Sequence, residues 1–220
     1  YATYTTGVGY DGTGVSPVGL VGWWKFNGNA NTSIGTANGV VTGATLTSGQ
    51  SGQANTAYSF TAACCQYIRT SALPALPATL SISAWINPTA YPSERSAIVV
   101  NDINTTDGYY FSLNSDGSLQ AYWYGTSSPG YHTTNSNTVP LNQWTFATVT
   151  WSGSEVKLYI NGSLQTTVAT QGGGAAANPI SIGAQSSTTR QFGGKLDDIR
   201  VYSRVLTPLE VSNLYAEGAQ

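Results

Sequence analysis

The chain is predicted to be all-β, with two antiparallel sheets packed face to face and one short C-terminal helix. Three observations predict this. Apolar and polar residues alternate over many short runs, the period-2 signature of half-buried strands. Turn signals separate those runs: Asp116-Gly117, Ser152-Gly153, Asn161-Gly162 and a glycine run at 172–174. The clearest helix start lies near the end, at Thr207-Pro208. A length of 220 residues suits one such domain with a substantial core.

Residues 1–19 are rich in Gly, Thr and Tyr and lack a helical period, so they read as an extended arm or linker ahead of a domain at 20–220. Such an arm would add a strand to its own sheet or to a neighbour's exposed edge. From residue 20 onward, strands are expected at 40–46, 57–60, 67–70, 79–87, 97–101, 109–113, 119–124 and 144–151. Four more follow at 156–160, 164–168, 180–183 and 196–202. The helix opens with Thr207 as N-cap and Pro208 in its first turn. Glu210 lies three residues after Thr207, completing a capping box. Val205, Leu206, Leu209, Leu214 and Tyr215 give this segment an apolar side.

The segment Phe192-Gly193-Gly194-Lys195-Leu196-Asp197-Asp198-Ile199-Arg200-Val201-Tyr202, with its helix, resembles the closing strand and helix of laminin G-like (LamG-like) domains in the concanavalin A-like lectin/glucanase superfamily. Gly22-Trp23-Trp24-Lys25-Phe26-Asn27 resembles the opening strand of that family, and Leu80-Ser81-Ile82-Ser83-Ala84-Trp85-Ile86 a mid-domain strand. The pair Trp144-Thr145-Phe146-Ala147-Thr148-Val149 and Val156-Lys157-Leu158-Tyr159-Ile160-Asn161-Gly162 resembles its strand pair ending in an Asn-Gly turn, with Ile180-Ser181-Ile182-Gly183 as the next strand. The resemblance runs from about residue 20 to 215 and implies a two-sheet antiparallel jelly roll.

Composition narrows the function classes. Charged residues make up 8% of the chain, against roughly 25% in average globular proteins. Hydroxyls and amides carry the polarity instead. Net charge is −2 and no basic run exists, so the electrostatic footprint of a nucleic-acid partner is missing. No apolar stretch approaches the ~18–20 residues that span a bilayer, so this segment is not expected to insert into a membrane. A chain without Met that starts at Tyr1 reads as a mature or excised form, secreted or on the cell surface.

The two cysteines, Cys64 and Cys65, are neighbours. Disulfides prefer Cα atoms about 5.5–6 Å apart, whereas neighbours across a trans peptide are ~3.8 Å apart. A bond between them closes a tight ring that would stiffen a strand edge. Bonds to other subunits and two reduced thiols are the alternatives.

The resemblance implies a structural calcium between the opening strand, a nearby Gly loop and the Asp before the closing strand. Here that Asp is Asp197, with Asn27 and the Asn38-Gly39 turn as partners. Many relatives carry an Asp where this chain reads Asn31-Thr32-Ser33-Ile34-Gly35, so the donors would be mostly neutral oxygens.

Aromatic residues point to carbohydrate. Sugar rings stack their C–H faces on aromatic rings, and the chain has 14 Tyr and 6 Trp. In the run 119–124, Leu119, Ala121 and Trp123 point one way, and Gln120, Tyr122 and Tyr124 the other. One set faces solvent if the sheet has a wet face. Tyr122, Trp123 and Tyr124, with Tyr91, Arg95, Tyr131 and His132 from nearby segments, form the candidate ligand-binding set. His132 is the lone histidine, expected in a loop, and cannot form a multi-His metal site.

Catalysis finds no support. Glycoside hydrolysis needs two carboxylates about 5–9.5 Å apart. The Glu-x-Asp-x-x-Glu strand of laminarinase-like relatives is missing. Glu94, Asp102, Asp107, Asp116 and Glu155 are isolated, and Asp197 and Asp198, being adjacent, should face opposite sides of a strand. The sequons at Asn31, Asn104 and Asn161 are ordinary polar turn content. The expectation is an extracellular, non-catalytic recognition or adhesion module for a glycan or surface protein. The alternative is a subunit of an extracellular filament or pilus-like appendage, its arm packed on a neighbouring copy.

Overall fold

A computed structural model describes residues 14–101, 108–124, 131–170 and 177–219. They form a jelly roll of two antiparallel sheets with one terminal helix. One sheet holds β1 (Leu20–Trp24), β3 (Thr45–Thr47), β4 (Ala57–Phe60), β6 (Leu80–Pro88), β11 (Thr145–Trp151), β12 (Glu155–Ile160), β13 (Ser163–Ala169) and β15 (Gly194–Tyr202). The other holds β2 (Gly39–Thr42), β5 (Tyr67–Ala72), β7 (Arg95–Asn101), β8 (Tyr109–Asn114), β9 (Leu119–Trp123), β10 (His132–Thr133) and β14 (Pro179–Ile182). The first sheet runs β13-β12-β11-β6-β15-β4-β3, with β1 also on β15; the second runs β10-β9-β8-β7-β14-β5-β2.

The predicted strand at 40–46 is two strands in opposite sheets. Gly43 adopts φ 68° between them, and that left-handed bend carries the chain from one sheet to the other. The Asn161-Gly162 turn joins β12 to β13 with both residues at positive φ, 49° and 76°, as a tight hairpin requires. The glycine run at 172–174, with Asp102, Asn104 and Asp107, lies outside the described residues.

The main core fills the space between the sheets, around Trp24, Phe111, Trp123, Trp151, Leu158 and Ile199. A second core covers the outer face of the first sheet. There α1 (Pro208–Gly218) lays Val211 and Leu214 against Trp85, Phe146, Tyr159 and Tyr202. Burying each such aliphatic side chain stabilises the fold by about 1.5–3 kcal/mol. The capping box forms: the Thr207 hydroxyl accepts from Glu210 N–H at 3.2 Å, and the Glu210 carboxylate accepts from Thr207 N–H at 2.9 Å.

Described residues 14–19 lie on their own domain. Val15 is buried in the second core. Arg204 donates to the carbonyls of Ser16 and Val18 at 2.9 and 2.7 Å, and Ser203 N–H donates to Gly19 at 2.7 Å. Residues 1–13 are outside the described residues. The helix lies on the first sheet, and no described helix covers the outer face of the second.

Candidate functional site

Strand alternation decides which aromatics reach that outer face. In β9, Leu119, Ala121 and Trp123 enter the main core, leaving Gln120 and Tyr122 outside, with Tyr124 following. The register of β8 on β9 sets Tyr110 directly opposite Tyr122. Tyr124 and Tyr131 complete the group. Ring centroids lie 6.2 Å apart for Tyr110–Tyr122, 4.8 Å for Tyr122–Tyr124, 5.8 Å for Tyr110–Tyr124 and 4.8 Å for Tyr122–Tyr131. The contacts are edge-to-face or tilted, the arrangement that ring quadrupoles favour. Tyr110 is 3% exposed and Tyr131 54%, so the group grades from a buried base to an open rim.

Two guanidinium groups border the rings. Arg95 lies 4.6 Å from the Tyr131 centroid and Arg190 4.7 Å from that of Tyr110. Arg95 also donates to the Gln120 amide oxygen at 3.3 Å. Arg190 belongs to the segment 185–191, which crosses the outer face. That segment is tied to β7 by Ala97 N–H donating to Arg190 carbonyl at 2.9 Å, and the Gln185 amide donates to the Tyr110 hydroxyl. Desolvation, with Tyr124 and Tyr131 nearby, pushes the Tyr122 phenol upward from its usual range, so the ring stays neutral.

Four of the predicted ligand residues therefore converge: Tyr122, Tyr124, Tyr131 and Arg95. Three do not. Trp123 is 1% exposed in the core, packed 4.4 Å from Trp151, because its strand parity opposes that of Tyr122. His132 is not a loop residue; it pairs with Ala121 in β10 and turns its ring onto Trp151 at 5.8 Å. Burial lowers its pKa. Tyr91 is half-buried beside the cluster, but its hydroxyl donates to the Val139 carbonyl at 2.8 Å and its ring presses on Gly117, so it braces loops. Sequence reasoning missed Tyr110, Arg190 and Gln185. The cross-strand register of Tyr110 on Tyr122 was the available signal; nothing local placed the 185–191 segment over the face.

Asp197 occupies a second, separate place. β4 pairs with β15 as far as Leu196, and the pairing of β1 with β15 begins at Ile199, so Asp197 and Asp198 sit in the gap between them. Asp198 has φ 42° there. The Asp197 carboxylate, 6% exposed, accepts from Gln50 N–H at 3.0 Å and Asp198 N–H at 2.7 Å. Desolvation, reinforced by the charge of Asp198, pushes its pKa up to about 7 against those bonds. Asn27, Gln53 and Thr56 line the same cleft. The Asp197 carboxylate and these neutral oxygens are calcium-type donors, and the cations Lys25 and Arg200 share the same lining. Asn38 and Gly39, also expected as calcium partners, are not among the residues that line this cleft. The Asn38 side-chain oxygen accepts from Thr32 N–H at 3.1 Å, and Gly39 opens β2 in the opposite sheet, packed on Ala30 and Ile68.

Asp198 turns to Arg200, which also meets Glu217, both at 3.0 Å. The Trp23 ring lies between Lys25, at 3.8 Å, and Arg200, at 4.2 Å. These groups form an ion network that lines the same cleft as Asp197. Cys64 and Cys65 are bonded to each other, with Cα atoms 3.7 Å apart, and Cys65 N–H donates to the Ser187 carbonyl at 2.8 Å. The Asp116 carboxylate is held below its usual range by the Ser118 and Ser136 hydroxyls, which suits a turn brace. Among the described residues no three His, Cys, Asp or Glu side chains converge as metal ligands, and no helix is long and apolar enough to cross a membrane.

A family model described as the concanavalin A-like lectin/glucanases superfamily, of laminin G type, matches residues 64–212. The chain belongs to that family. Solved structures share the fold. Domain 4 of AbnA, a GH43 extracellular arabinanase from Geobacillus stearothermophilus, solved with arabinotriose, is 21% identical at TM-score 0.69, covering 91% of this chain and 98% of that one. The binding domain of Paraclostridial Mosquitocidal Protein 1 is 17% identical at TM-score 0.71, covering 90% and 52%. A botulinum neurotoxin type C structure, whose cell entry depends on two ganglioside molecules, is 15% identical at TM-score 0.68, covering 90% and 51%. The chain spans about half the length of these two toxin structures. No curated protein matches it.

Proposed function

We propose that this domain is an extracellular, non-catalytic carbohydrate-recognition module that binds saccharide on the outer face of its seven-stranded sheet. The observation that carries this reading is the Tyr110, Tyr122, Tyr124 and Tyr131 cluster bordered by Arg95 and Arg190. Aromatic rings take the C–H faces of a sugar, while guanidinium and amide groups meet its hydroxyls. The arabinotriose bound by the arabinanase domain supports a saccharide ligand for this fold. Calcium, held by Asp197, Asn27 and oxygens of the 50–56 loop, would act as a structural brace where β15 changes partner.

The filament reading assigns the N-terminal arm to a neighbouring copy. Because Gly19, Val18 and Ser16 are bonded within their own chain, a donated segment would have to lie upstream of Gly14.

The test is affinity electrophoresis against a panel of plant and bacterial polysaccharides, arabinan included. Retention of the wild type by at least one polymer, lost in Tyr122→Ala and Tyr124→Ala with the fold intact, is the expected result. Wild type passing every polymer unretarded would sink the reading.

A further inference from the structure

The segment 185–191 divides the outer face, and a second groove of about 730 Å³ lies on its far side. Its size falls within the range of ligand pockets, about 300–1,000 Å³. Its floor is built from β2, β5 and β14. The register places Arg69 directly opposite Ser181 on one side and Val40 on the other. All three line the groove.

Two polar side chains here lack a protein partner among the described residues. Arg69 is half-buried, and among the described residues neither a carboxylate nor an acceptor meets its guanidinium. Ser181 is 1% exposed, and among the described residues its hydroxyl lacks a hydrogen-bond partner. Buried polar groups are nearly always satisfied, so the buried Ser181 hydroxyl, set opposite a partly exposed guanidinium that no described carboxylate pairs, marks a place for an acceptor. The remaining lining supplies Tyr67, Thr42 and the Gln185 amide, while Val40, 69% exposed, offers an apolar surface. No carboxylate lines the groove among the described residues.

The far wall is held in place. Cys65 N–H donates to the Ser187 carbonyl at 2.8 Å, and the Gln191 amide donates to the Ser186 carbonyl at 2.8 Å. The bonded Cys64–Cys65 turn thus anchors the Ser186-Ser187 wall. Hydroxyls, an amide, an apolar strip and one uncompensated planar cation are together the complement of a sugar carrying an oxyanion.

We propose that Arg69 and Ser181 form an anion subsite for an acidic saccharide, either a uronate carboxylate or a sulfate ester. This rests on reading the sheet face as a glycan surface, and it adds a second cationic subsite, apart from the Arg95 and Arg190 that border the tyrosine cluster.

The experiment is affinity electrophoresis of the intact protein in hyaluronan, which carries carboxylates only, in dextran sulfate, which carries sulfates only, and in the neutral panel. Wild type should be retarded by at least one acidic polymer. Arg69→Gln should weaken that retardation by at least about tenfold, the loss expected for a charge-assisted contact, and Arg69→Lys should restore part of it. Ser181→Ala should weaken it by a smaller factor. Neutral-polymer retention should not change in any of them. The hyaluronan and dextran sulfate arms tell carboxylate from sulfate. Melting curves confirm that each variant folds. Arg69→Gln binding acidic polymers as the wild type does overturns the proposal, and so does a wild type held by neutral polymers alone, which leaves the broader reading standing. Retention by no polymer overturns both.

Discussion

Tyr122 stands directly across the sheet from Tyr110, and their rings meet edge to face with centroids 6.2 Å apart. The strand neighbours of this pair, Tyr109 and Trp123, are also cross-strand partners, but on the core side. One register therefore builds a core pair and an outer-face pair from two adjacent aromatic residues on each strand.

That parity gives a prediction about stability and binding together. Trp123→Ala removes a fully buried side chain and should cost about 3–5 kcal/mol of stability. Tyr122→Ala should cost only about 1 kcal/mol, the scale of a lost aromatic pair, while removing saccharide retention. Urea denaturation of both variants checks the first half, and polysaccharide retention of the Tyr122 variant checks the second.

Asp197 tests the calcium brace. Adding calcium should raise the melting temperature of the wild type by several degrees, since a ligand bound only to the folded state stabilises it. A chelator should reverse the rise. Asp197→Asn should melt at the same temperature in calcium and in chelator. A wild-type midpoint that ignores both additions removes calcium from the account.

His132 makes stability depend on pH. Burial holds its pKa below the ordinary 6.5, so the folded state binds a proton less readily than the unfolded one. Its contribution is fully present above pH 6.5 and is lost as pH falls through the lowered folded value. His132→Gln should flatten the stability profile in that window. As His132 is the lone histidine, its imidazole signals in a proton NMR titration report the shift without overlap.

The Cys64–Cys65 bond is predicted to act locally. Cys64→Ser with Cys65→Ser should leave the sheets folded, because the pair lies in the loop between β4 and β5. It should loosen the Ser187 wall, seen as faster hydrogen exchange of the backbone N–H at position 65, which donates to that wall.

Strand positions were legible because alternation is local: β4, β6, β11 and β12 lie where the apolar pattern and the Asn161-Gly162 turn put them. The capping box of Thr207 and Glu210 was legible for the same reason. The split at Gly43 was hidden, since a short β-rich run does not reveal that its halves join different sheets. Sequence spacing could name Tyr122 and Tyr124 but could not choose between their face and that of Trp123; register against β8 and the cover of α1 on the other sheet decide it. The Asp197 cleft was half legible. The carboxylate stood out, but its neighbours come from the 49–56 loop, which folds against it from a distant part of the chain.

The most direct measurement of the central claim is a backbone amide NMR titration of ¹⁵N-labelled protein with oligosaccharides cut from whichever polymer retains it. Shifts should concentrate at Tyr110, Tyr122, Tyr124, Tyr131 and Arg95, on the outer face of the seven-stranded sheet. Shifts confined to the helix-covered sheet, or no polymer that retains the protein at all, would contradict it.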